Sequence, residues 1–115
     1  MATDLKKSIY LNFKDFLGSA EDEFTKGRFN PALSSYFKAI AIICDYKIYD
    51  KMSLLPKNHA ERSLFLRMHF PDAYSLVSPL FKEYTDSYNL RIQKEAVIKL
   101  RDTVGKLKKI FNIEK

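Results

Sequence analysis

The side chains best suited to electrostatic chemistry are concentrated in the last quarter of the chain. Residues 91–115 carry eight basic and three acidic groups, whereas residues 1–30 and 56–90 are each balanced and 31–55 are net +1. Lys94, Lys99, Arg101, Lys106, Lys108 and Lys109 supply most of the overall +6. Cations clustered in this way can follow a phosphate backbone, with affinity that falls as salt rises and without sequence readout. The plainer alternative is a solvated face. Glu95–Lys99 and Asp102–Lys106 have the i,i+4 spacing that stabilises a helix, and its dipole favours cations near the C-terminus.

Other candidates are weaker. Tyr84, Asp86, Ser87 and Tyr88 place four hydrogen-bonding side chains at one helix end. They form either a polar pocket at a dimer seam or two core tyrosines whose hydroxyls reach the surface. Glu21, Asp22 and Glu23 point in three directions around a helix, so they cannot clamp one ligand. His59 and His69 lie almost three turns apart with no clustered Cys or carboxylate, so no metal site is expected. Cys44 sits inside the apolar run AIAIIC at 39–44 and reads as an inert, buried thiol. Gly18, Gly27 and Gly105 stand alone, and no phosphate-cradling loop or other cofactor pattern occurs.

Helices must position these residues. Only 3 Gly and 4 Pro are available for turns, too few for a hairpin-rich fold. A hydrophobic content of 46%, with 9 Phe and 7 Tyr, can build a real core. A first helix over about Ala2 to Lys26 aligns Ile9, Phe13, Phe16, Leu17, Ala20 and Phe24. Gly27 stops it, and the short link makes an antiparallel hairpin with the next helix. That second helix, capped by Asn30 with Pro31 at its first position, runs to about Asp50. It is apolar almost all round, which belongs in the centre of a bundle.

A third helix follows Asn58, with Glu61 in capping-box spacing, and buries Ala60, Leu64, Phe65 and Met68 up to His69. A fourth runs from Asp72 to about Tyr88 with a kink at Pro79 and Tyr74, Val77, Leu80, Phe81, Tyr84 and Tyr88 inward. The fifth, Lys94 to Asn112, aligns Val97, Leu100, Val104, Leu107 and Phe111 along one seam. The fold expected is an all-α, up-and-down bundle of four to five helices forming one domain over 1–115. Charges break up the N-terminal segment and no apolar run exceeds six residues, so a cytoplasmic protein without membrane spans is expected.

In order and spacing, four pieces resemble the HEPN superfamily, its archaeal small helical members most of all. These are FKDFLGSAEDEFTKGRF, the central helix ending in CDYKIYDK, PKNHAERSLFLRMHFP, and LFKEYTDSYNLRIQKEAVIKLRDTVGKLKKI. The resemblance implies a homodimer and, in some members, a nucleotidyltransferase partner in a toxin–antitoxin pair. Other members are metal-independent ribonucleases, with an Arg and a His a short step apart near the start of a late helix. The corresponding stretch here, EYTDSYNLR, lacks that pair. Arg62 and His69, enclosing SLFLRM, match it formally elsewhere, with His as general acid or base and Arg stabilising a pentavalent phosphate. Coincidence in an Arg-containing helix explains the same pattern. The functional expectation is therefore a homodimeric binding or adaptor module for RNA, a nucleotide or a nucleotidyltransferase. An endoribonuclease and a purely structural subunit are the alternatives.

Overall fold

Apolar residues recur at steps of three and four over most of the chain, and helices form wherever those steps run uninterrupted. A computed structural model describes residues 2–113. The helices are α1 (Ala2–Thr25), α2 (Phe29–Met52), α3 (His59–His69), α4 (Pro71–Val77), α5 (Leu80–Asp86) and α6 (Lys94–Ile110). No strand occurs among the described residues. The protein is an all-α bundle.

The α1–α2 hairpin closes at Gly27, whose φ of +77° favours glycine. Its N–H donates to the Phe24 carbonyl at 3.0 Å, and the Arg28 N–H to the Glu23 carbonyl at 2.9 Å. This pair of bonds is the Schellman closure, which satisfies carbonyls the helix itself leaves unpaired. A Cβ at Gly27 would meet nothing within 4 Å, so backbone handedness alone explains the glycine.

α2 is the central rod, packed against α1, α3, α5 and α6. Leu33, Tyr36, Ile40, Ile43, Cys44 and Ile48 are all wholly buried along it. One core joins residues from all six helices, including Phe13, Leu66, Ala73, Leu80, Leu100 and Phe111. The seam expected on α6 forms as read, with Val97, Leu100, Val104, Leu107 and Phe111 buried.

Four expectations need correction. Asn30 does not cap α2, which begins at Phe29 after Arg28, a residue that makes no side-chain capping bond. Asn30 instead donates its amide to the carbonyls of Ser87 (2.8 Å) and Leu90 (2.7 Å) and accepts from the Ile92 N–H (3.0 Å). One side chain thereby satisfies three backbone groups of the loop that delivers α6. The fourth helix is two, because the break at Ser78–Pro79 separates α4 from α5; α4 also starts at Pro71, a residue suited to a first turn.

The third correction concerns α3, where Leu64 is 41% and Met68 63% exposed and Ala60 is exposed, whereas Phe65 packs against the core as expected. The packed side carries His59, Arg62, Phe65 and Leu66, with Arg62 paired to an anion on α2. Asn58 does cap α3, its Oδ1 accepting from the Glu61 N–H at 2.9 Å. Glu61 reaches back to the Lys57 N–H. Finally, Tyr88 is not a core residue: it is 69% exposed.

Candidate nucleic-acid interface

The basic residues of α6 divide by face. Lys94, Arg101 and Lys108 are spaced by seven residues, nearly two turns, and so share one stripe. That stripe faces α1: Lys94 and Arg101 lie 6.0 and 5.0 Å from the Phe24 ring centroid, and Lys108 lies 5.8 Å from that of Phe13. The order of these contacts makes α6 antiparallel to α1. Lys14 stands over Tyr10 on the opposite wall, at 5.8 Å. Cations held over ring faces keep their charge while burying their stems.

A hollow of about 220 Å³ lies between these walls, lined by Tyr10, Phe13, Lys14, Leu17, Gly18, Glu21 and Lys108. A second, of about 330 Å³, adjoins it through Tyr10 and is lined by Lys6, Lys7 and Tyr46. Among the described residues, Lys14, Lys94, Arg101 and Lys108 form no ion pair. The expected Glu95–Lys99 and Asp102–Lys106 pairs do not form either. Lys99 reaches across to Glu83 of α5 at 2.9 Å, while Lys106 and Lys109 are exposed. The basic set thus contains one organised stripe, not six equivalent surface charges.

Arg62 lies against α2. Its Nε and Nη2 donate to the Asp45 carboxylate at 2.7 and 3.1 Å, and each side chain is only 18% exposed. His69 is half-buried at the other end of α3. His59 is stacked on Phe81 with centroids 3.8 Å apart and planes at 16°, beside the Phe37–Tyr84 stack. Burial, and secondarily the Arg62 charge, pushes its pKa below the ordinary histidine value, and its buried Nδ1 has no protein partner.

The sign of the pH effect follows. A depressed folded-state pKa means the unfolded chain takes up the proton first as pH falls through about 6.5. Stability supplied by neutral His59 is complete above that pH and is lost toward acid. A His59→Phe variant should keep the stack yet show a smaller fall in Tm between pH 7.5 and 5 than the parent. An identical fall in both proteins would place the acid sensitivity elsewhere.

In the Tyr84–Tyr88 group the side chains bond mainly to neighbours on the same segment. The two hydroxyls bond each other at 2.9 Å, Asp86 accepts from Lys82, and Ser87 donates to the Tyr84 carbonyl. The bond from Tyr88, with burial, raises the Tyr84 phenol pKa. Cys44 is wholly buried and its thiol pKa is pushed well up by desolvation, which suits a packing role. Among the described residues no three His, Cys, Asp or Glu side chains come together as a metal site, and no helix is long and apolar enough to cross a membrane.

No protein-family model, curated protein or solved structure matches the chain. Sequence reasoning found the cations but missed Tyr10, Lys14, Gly18 and Glu21 opposite them. The signal was present in part: Tyr10, Lys14, Leu17 and Glu21 recur at four-, three- and four-residue steps on the α1 flank, beside its apolar face.

Proposed function

We propose that this protein is an RNA-binding module whose ligand lies along the α1–α6 groove. One observation carries the reading: Lys94, Arg101 and Lys108 form a single stripe beside Lys14, over aromatic rings and with no ion pair among the described residues. From Lys94 to Lys108 the stripe spans roughly 21 Å, long enough for several consecutive phosphates. Half-buried Tyr10, which lines the hollow beside Lys14, offers a ring to a single strand, whose bases are free to stack. The helix order that resembles the HEPN superfamily supports RNA as the nucleic acid. Arg62 is committed to Asp45, which favours binding over cleavage by Arg62 and His69.

The test is a salt titration with a short single-stranded RNA. Three to four phosphate contacts give a log–log slope of about −2 to −3 for a single strand. Absence of binding at low salt would remove the reading.

A second reading, dimerisation, is favoured by the outward face of α3, where Ala60, Leu64 and Met68 are exposed beside a hollow of about 250 Å³ reaching Tyr74. A two-fold pairing of two α3 helices would cover it, and a nucleotidyltransferase would be the occupant if the chain is monomeric alone. Sedimentation should give a dimer that a Leu64→Glu, Met68→Glu variant converts to a folded monomer. A monomeric parent at high concentration would sink the pairing.

A further inference from the structure

We propose that the hollow between α1 and α6 receives one nucleobase of a single-stranded RNA and reads its exocyclic amino group with Glu21. The inference rests on the RNA-binding reading above. A groove serving phosphates alone has no use for an anion on its wall, yet Glu21 lines this one beside Lys14 and Lys108. Glu21 forms no ion pair with them among the described residues. An ionised carboxylate only accepts hydrogen bonds, so it selects a donor. Cytosine, adenine and guanine carry an exocyclic amino group; the exocyclic groups of uracil are both acceptors.

The walls leave room for such a ring. Gly18 lines the hollow on α1, and Gly105 stands between Arg101 and Lys108 in the sequence of α6. A Cβ added at either glycine meets nothing within 4 Å. Packing within this chain therefore does not require them, although glycine is unfavourable inside a helix. Tyr10 and Leu17 supply faces for the ring, and Lys14 and Lys108 stand where its phosphates would pass.

Fluorescence anisotropy with end-labelled cytidine and uridine hexamers at low salt tests this, using the intact protein and its Glu21→Met and Gly18→Leu variants. Cytidine hexamer should bind about tenfold more tightly than uridine hexamer, the discrimination typical of one good base contact. Glu21→Met should bring that ratio to about one without weakening uridine binding. Gly18→Leu should also abolish the ratio while leaving competition by inorganic polyphosphate intact. Equal binding of both hexamers by the parent, or a ratio that persists in Glu21→Met, overturns base readout while the backbone reading stands. If neither hexamer binds, both fall.

Discussion

Changing Lys94, Arg101 and Lys108 together to serine is expected to weaken RNA binding about a hundredfold at low salt, taking roughly 1 kcal/mol for each exposed charge-assisted contact. The log–log salt slope should flatten by about 2, since each lost contact to a single strand removes roughly 0.7. The slope is the more discriminating reading, because a general loss of fold would abolish binding without a graded change. Circular dichroism of the variant should remain helical: all three side chains lie outside the α6 seam of Val97, Leu100, Val104 and Leu107. As a control, Lys106→Ser with Lys109→Ser removes two charges from other faces of α6. A control that weakens binding as much as two stripe substitutions would mean that net charge, not the stripe, attracts the ligand.

Asp45→Ala is expected to destabilise the protein by about 2–3 kcal/mol, somewhat less than breaking a fully buried ion pair costs, because both side chains keep 18% exposure. The reason is asymmetry. The Arg62 guanidinium would remain mostly buried between α2 and α3 with its anion removed, and a charge cannot be left there without penalty. A shift of roughly 10 °C in Tm should result for a domain of this size. Replacing both partners by apolar residues, Asp45→Leu with Arg62→Met, should recover most of that loss, as the uncompensated charge is gone. A double variant as unstable as Asp45→Ala alone would show the geometry of the pair, rather than its charge, to be what holds α3. The same pair bears on catalysis. An Arg held by two hydrogen bonds to one carboxylate has little freedom to meet a developing phosphate charge.

The particular residues show why some of this was legible in the sequence. The α6 seam and the α1 face were read from spacing alone, because each is a long stripe with polar residues opposite. Gly27 was equally clear, since few residues accept its backbone conformation. On α3 apolar spacing points to the wrong stripe. Apolar residues occur on two sides of that short helix, and Ala60, Leu64 and Met68 made the tidier pattern. The packed side is set by Arg62 and Asp45, 17 residues apart in sequence, whose pairing no local periodicity records. Asn30 misled for a related reason: the residue type is right for a cap, but its amide found three better partners in the loop before α6.

The candidate interface divides in the same way. The excess of cations on the last helix was countable, but the six residues surround the seam, and only the contacts to Phe24 and Phe13 single out Lys94, Arg101 and Lys108 as one stripe. Which side of the bundle that stripe would meet was not available, nor that Lys99 would turn to Glu83.

Helix content, the hairpin at Gly27 and the buried central rod were determined by the sequence itself, because backbone preference and apolar spacing act over one or two turns. Only the tertiary structure decided that α6 lies antiparallel to α1, with cations over rings and Glu21 among them. Such a juxtaposition depends on side chains some 80 residues apart meeting across a packed core, and core packing is a property of the whole chain at once.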